Sequence, residues 1–294
     1  MTPNTKRLLN LAQKLGVDSL LLRVSTLPGL RPLINRIAWN RQSLAHCDGI
    51  YHRFMKRIDR HGIALASKSI LEIGAGNSIG IGYFFARHGI SRWTASDPIM
   101  KFGGNTRFAR DEHELSRKIL LPDHPDLFES IRIEDNKILF ESIFRFIKLD
   151  ATVFMSNLEG QFDLIFSNSV FEHLTEDGLE ATLANCRRYL KPNGVMIHGI
   201  DLKDHINPLN PLGFYKYSDK EWRSLTSGSI FYVNRLRHTD YMKIFQEHGF
   251  HIMECEPYLP LPLPTRIHPD IRNRYGDDEI RYGEVFITAR NGDR

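Results

Sequence analysis

The stretch that most constrains the fold is residues 69 to 82, Ser-Ile-Leu-Glu-Ile-Gly-Ala-Gly-Asn-Ser-Ile-Gly-Ile-Gly. Its apolar start reads as a buried strand, its glycines as a tight turn, and its continuation as a helix. Gly74 and Gly76 let the backbone turn sharply and approach a ligand with no Cβ in the way, and amides at the helix start can face polar groups. A nucleoside-type ligand is implied. Dinucleotide enzymes use a similar strand, turn and helix, so the turn alone does not choose between ligands.

The downstream residues carry the choice further. Trp93 to Asp97 reads as a second strand ending in a carboxylate, 21 positions after Gly76, where it can take both ribose hydroxyls. Phe146 to Asp150 reads as a third strand, again ending in an acid, and Phe162 to Ser169 as a fourth. A helical stretch follows from Val-Phe-Glu-His-Leu, and then a fifth strand in residues 190 to 199. Strands and helices alternate, so a mostly parallel sheet with helices on both faces is expected.

In this order and at these spacings the chain, over about residues 66 to 290, resembles the class I S-adenosylmethionine-dependent methyltransferases. The resemblance implies an α/β, Rossmann-like, doubly wound sheet of seven mostly parallel strands, closed by a late antiparallel hairpin at Phe250–Cys255 and Glu284–Ala289. It places Glu72, Gly74, Ala75 and Gly76 around the methionine part of the cofactor and Asp97 on the ribose. Asp150 with Ala151 would face the adenine, and Asn168 with Ser169 would lie beside the sulfonium. A nicotinamide site would need room and donors for a pyrophosphate, whereas this cleft is lined with acids suited to hydroxyls, an ammonium and a sulfonium.

Around this catalytic domain, residues 66–294, the chain carries additions. Residues 1–65 read as a helical extension, and insertions are expected at about 98–145, 201–232 and 257–280. The extension holds eleven Lys or Arg against three Asp or Glu in residues 1 to 60, although the whole chain has a net charge of only +4. A solvated basic face is the plain reading. The sharper one is that Arg31, Arg36, Arg41, Arg53, Lys56 and Arg57 attract a phosphorylated or lipid-linked substrate or an anionic membrane surface. The second insertion is rich in aromatics (Phe214, Tyr215, Tyr217, Trp222, Phe231, Tyr232), which can stack on an acceptor or form local core. A helix capped at Thr239 is expected before Gly249.

Composition excludes some classes. No apolar run approaches the roughly 18 residues of a membrane span, and with the polar start this leads us to expect a cytoplasmic protein without a signal peptide. Cys47, Cys186 and Cys255 show no paired spacing for zinc or redox chemistry. No basic ribbon interleaved with aromatics is visible, so no nucleic-acid partner is expected.

Methyl transfer from a sulfonium is an in-line displacement, so the protein mainly aligns acceptor, methyl carbon and sulfur. A sugar or alcohol hydroxyl also has to lose a proton. The candidate bases follow the fifth strand in His-Gly-Ile-Asp-Leu-Lys-Asp-His: His198 or His205 with Asp201 forms a dyad, Asp204 stands nearby, and His173 is the other imidazole close to Asn168. A divalent metal held by two carboxylates and an imidazole is the competing chemistry; it is not expected, and no metal ligand is assigned. After the fourth strand stands Ser-Asn-Ser rather than a loop that grips a planar amino group. The late insertion also looks like that of bacterial methyltransferases of glycan and small-molecule biosynthesis. The expected reaction is therefore O-methylation of a saccharide or small-metabolite hydroxyl. The alternatives are a non-catalytic cofactor-binding or scaffold protein of the same fold, and N- or C-methyl transfer to a small molecule.

Overall fold

A parallel strand covered on both faces is buried along its whole length, and all five residues of Ser69–Ile73 are buried, Ser69 and Glu72 among them. The computed structural model describes residues 43–76, 78–98, 106–135, 137–207, 210–226 and 232–292. The expectations for residues 1–42, including Arg31, Arg36 and Arg41, and for Phe231 lie outside them.

In chain order the first elements are α1 (Leu44–Arg60), β1 (Ser69–Ile73), α2 (Gly80–Ala86), β2 (Arg92–Ser96), α3 (Thr106–Leu120) and α4 (Pro125–Glu129). Next come β3 (Ile131–Glu134), β4 (Lys137–Phe140), β5 (Phe144–Ile147), β6 (Phe162–Asn168), α5 (Glu176–Tyr189) and β7 (Leu190–Asp201). The chain closes with α6 (Asp219–Thr226), α7 (His238–Glu247), β8 (Phe250–Pro260), α8 (Pro269–Arg274), α9 (Asp277–Ile280) and β9 (Tyr282–Asn291).

The main sheet has seven strands in the order β5-β2-β1-β6-β7-β9-β8. β2, β5, β1, β6 and β7 pair in parallel, and β9 runs antiparallel to both of its neighbours. Strand order reverses between β1 and β6, so the ligand crevice of such a sheet lies outside the carboxyl ends of these two strands. Helices cover both faces, as expected, and the late antiparallel pair forms with strands longer than the sequence suggests. The third sheet strand is displaced: Phe144 is buried and pairs with Trp93, so the strand runs from Phe144 to Ile147 and leaves Asp150 beyond its end.

Side chains alternate between the faces. Ile70, Leu164, Phe166, Val195, Ile197 and Phe286 face a core shared with α1 and α2, whereas Leu71, Ile73, Ile165, Met196, Ile200 and Ile287 face α5 and α7. Helix α1 buries Cys47, Ile50, Phe54 and Ile58, a stripe of helical period, and its start is capped by Ser43, whose hydroxyl accepts from the His46 amide at 3.2 Å. The Phe54 ring meets Phe166 at 4.8 Å and Phe286 at 5.3 Å, which fixes α1 across the sheet.

The insertions have separate roles. Residues 98–145 supply α3, α4 and the small antiparallel pair β3–β4. Phe214, Tyr215 and Trp222 of the second insertion pack with Ile271, Tyr275 and Ile280 of the third into a small core of their own. These aromatics are core rather than a stacking platform. Arg237, 0% exposed, ties this unit to the sheet by donating to the carbonyls of Leu202, Glu279, Ile280 and Tyr282 and to the Tyr215 hydroxyl. The expected cap at Thr239 is corrected: the helix starts after Arg237, whose amide donates to the Asp240 carboxylate at 2.7 Å, while the Thr239 hydroxyl bonds Glu279.

Candidate functional site

The glycine turn after β1 is locked from three sides. Gly74 and Gly76 have φ of +71° and +67°, which only glycine adopts without strain. The amides of Gly74 and Ala75 donate to the Ser96 carbonyl at 2.8 and 3.0 Å, and the Gly76 amide donates to Asp97 Oδ2 at 3.0 Å. A Cβ on Gly74 would collide with Val170 from the loop after β6. Turn, β2 end and β6 end thus form one frame, with the Asp97 carboxylate oriented by backbone at the crevice edge.

Beneath the turn is a small pocket lined by Glu72, Gly74, Ala75 and Asn168 and roofed by Cys47 and Ile50 of α1. Glu72 is only 4% exposed, and no Lys or Arg stands among the described lining residues. The start of α2 is already occupied. Glu112 of α3, 0% exposed, accepts from the Ile79 amide at 2.9 Å and the Tyr83 hydroxyl at 3.0 Å, and the Gly80 amide donates to the Ser78 hydroxyl at 3.0 Å. The expectation that helix-start amides face a ligand is corrected at these two positions. A pyrophosphate needs such amides and an uncompensated helix dipole, and here a carboxylate has taken the place. Sequence reasoning missed Glu112 because the contact spans an insertion. Carboxylate and amide oxygens beside a glycine cradle fit an ammonium, a sulfonium and ribose hydroxyls.

Asp150 and Ala151 follow β5 at the far side. Asp150 is exposed, its Oδ1 accepting from the Thr152 amide at 3.0 Å and hydroxyl at 2.8 Å, and the Ala151 carbonyl accepts from Asn185 at 2.8 Å. Asn168 ends β6 and Ser169 follows it. Ser169 has φ of +56°, and its amide donates to the Gly199 carbonyl at 2.8 Å.

The basic face of α1 finds partners within the chain. Arg53 donates to Asn168 Oδ1 at 3.2 Å, Glu284 Oε2 at 3.0 Å and the Tyr258 hydroxyl at 3.1 Å. Arg57 pairs with Glu256 and lies 3.7 Å over the Phe286 ring, and Lys56 reaches Glu256 at 3.7 Å. These three cations bind the acidic edge of β8 and β9. Their partners, Glu256 and Glu284, lie about two hundred residues away along the chain and on two different strands, so no local sequence pattern marks them.

Of the five candidate proton-handling residues, His198 is corrected. It lies on the α5–α7 face of β7, is 0% exposed, stacks on Phe171 at 4.1 Å and bonds the Ser167 hydroxyl through Nδ1 at 2.7 Å. Burial brings its pKa down to about 3, so it stays a neutral core imidazole. Asp201, three residues further along and on the strand's other face, ends β7 half-buried. His205 Nε2 lies 3.6 Å from its Oδ2, and the Lys203 ammonium sits 3.0 Å from its Oδ1 and 2.8 Å from Glu284. Burial alone would raise the Asp201 carboxyl; the His205 hydrogen bond and the Lys203 charge outweigh it and hold it below the usual range. His173 stands beside His205, ring centroids 4.9 Å apart, and its Nδ1 bonds the Tyr232 carbonyl at 2.8 Å. Asp204 instead holds its own loop, accepting from the Ile206 amide at 2.8 Å. Asp201, His205 and His173 therefore meet and His198 does not.

A family model described as a methyltransferase domain matches residues 125–196, a stretch from α4 into β7. Among solved structures, the chain is similar to an S-adenosylmethionine-dependent methyltransferase from Mesorhizobium loti, with 13% identity, 83% of this chain and 99% of that one covered, and a TM-score of 0.48. It is also similar to the 1,6-didemethyltoxoflavin-N1-methyltransferase of Burkholderia thailandensis, solved with 1,6-didemethyltoxoflavin and S-adenosylhomocysteine, with 14% identity, coverages of 84% and 77% and a TM-score of 0.46. The [4+2]-cyclase SpnF is another similar structure, at 12% identity, coverages of 82% and 81% and a TM-score of 0.47. Comparison with curated proteins finds no match.

Proposed function

We propose that this chain is a class I S-adenosylmethionine-dependent methyltransferase, a reading its sheet order and the methyltransferase-domain match over residues 125–196 support, and that it O-methylates a hydroxyl of a saccharide or small metabolite. The observation that carries the cofactor half is the crevice itself: a glycine turn bonded to Asp97, with Glu72 and Asn168 below it and Glu112 closing the phosphate position at α2. The bound cofactor supplies an electrophilic methyl on a sulfonium. Asp97 takes ribose hydroxyls while the Gly76 amide orients it, and the Glu72 carboxylate complements positive charge. Helix α1 roofs the pocket and excludes water from it.

The acceptor half rests on the carboxyl end of β7. A hydroxyl reacting with the methyl gives up its proton, and the half-buried Asp201–His205 pair stands at the neighbouring strand end to receive it. No helix among the described residues is long and apolar enough to cross a membrane. Incubation of the purified protein with methyl-labelled cofactor and a panel of nucleotide sugars, glycans and hydroxylated metabolites tests this reading. Label entering an oxygen of one of these compounds supports it; label entering nitrogen or carbon of other small molecules would replace the acceptor, leaving the cofactor half intact.

A further inference from the structure

Glu172, His173 and His205 come from two different loops, those following β6 and β7, and each offers one ligand atom within 4.8 Å of the others. We propose that they bind a divalent first-row transition ion such as Zn²⁺ or Mn²⁺ at the acceptor side of the crevice. The donor set is two imidazoles and a carboxylate, which suits these ions and leaves coordination positions open. Metal–ligand bonds of about 2.0 to 2.2 Å place donor atoms of one ion up to about 4.2 Å apart, so small side-chain rotations close the site.

Two independent features prepare the histidine ligands. The Tyr232 carbonyl can only accept, so the 2.8 Å bond to His173 Nδ1 puts the proton on that nitrogen and leaves Nε2 with its lone pair outward. His205 is held by Asp201, 3.6 Å from its Nε2, the carboxylate support that ligating histidines commonly have. Glu172, 1% exposed, adds a buried carboxylate to the donor set. With His205 given to the ion, the proton of an acceptor hydroxyl passes to the Asp201 carboxylate. This last step rests on the O-methylation reading; binding of the ion does not.

The test is calorimetric titration of the metal-stripped full chain with Zn²⁺ and with Mn²⁺, followed by Co²⁺ substitution read by visible absorption. The variants are H173A, H205A and E172Q, with H251A at an exposed strand position as control, each checked for folding by circular dichroism. One ion per chain is expected, weakened at least about tenfold in H205A and H173A and unchanged in H251A, with Co²⁺ bands lost alongside. E172Q should weaken the ion while retaining the fold, which separates ligation from packing. Absence of stoichiometric binding by the wild-type chain, or equal affinity in all variants, overturns the site. S-adenosylmethionine binding measured on the same samples keeps the two readings apart: cofactor binding without metal binding defeats only the metal site, and the reverse defeats only the cofactor crevice.

Discussion

Arg53 Nη2 lies 3.2 Å from Asn168 Oδ1, and Nη1 of the same guanidinium lies 3.0 Å from Glu284 Oε2. One side chain thereby joins the roof helix α1 to the end of β6 and to β9, at the edge of the pocket.

Replacing Arg53 with Ala removes that joint without touching the apolar stripe of α1. The pair is partly solvated, so the expected loss of stability is only about 1 kcal/mol. Faster hydrogen exchange should be confined to amides of residues 44–60, leaving β1 and β6 protected. Uniformly faster exchange over the whole sheet would contradict a local role for this contact.

Glu112 should behave differently, because it is fully buried and holds the first turn of α2. Glu112→Ala should cost about 2 kcal/mol in urea unfolding, the scale of hydrogen bonds to a buried charged group. Glu112→Gln retains an oxygen for the Ile79 amide and should lose less. Equal losses in the two variants would mean that the negative charge, and not the oxygen that Gln retains, holds the turn.

How much of this was legible in sequence depends on the range of the interaction. β1 and β6 stood out because strands buried on both faces are mostly apolar, with Ile70, Leu71 and Ile73 in one and Leu164 to Phe166 in the other, and the turn stood out because positive φ selects Gly74 and Gly76. Asp97 was legible as an acid at a strand end. His198 was misplaced by the pleat: it and Asp201 both lie near the end of β7, but their different parity sends one to the α5–α7 core and the other to the crevice side. Glu112, Arg237 and the glutamates meeting α1 act across insertions, where no local pattern marks a partner. The third strand was read too late because Phe146 to Asp150 and Phe144 to Ile147 are both apolar enough, and only pairing with Trp93 decides the register.

The burial of His198 predicts a pH effect. Its folded pKa is brought down to about 3, while in the unfolded chain it titrates normally near 6.5. Between these values the unfolded state binds the extra proton, so stability falls as pH falls, with the full contribution present above the unfolded value. At pH 5 the loss from this one group should be about 2 kcal/mol. A His198→Gln variant should lack that part of the slope between pH 3 and 6.5 in urea unfolding. An unchanged slope would place the ring outside the core.

Gly74→Ala should be severe, combining positive φ with the collision at Val170. The expected loss is about 2 kcal/mol or more. Val170→Ala in the same chain should recover the steric part and leave the conformational part, about 1 kcal/mol. If the second substitution recovers nothing, the loop after β6 does not press on the turn, and the frame described around Asp97 is wrong.

The central claim is that the crevice between β1 and β6 accepts a sulfonium nucleoside and excludes a dinucleotide. Calorimetric titration with S-adenosylmethionine, S-adenosylhomocysteine and NAD addresses it directly. One site per chain for the two sulfur nucleosides and none for NAD is the expected result, with Asp97→Ala weakening cofactor binding by about 1.5 to 3 kcal/mol. Binding of NAD alone, or cofactor affinity indifferent to Asp97, would contradict the account.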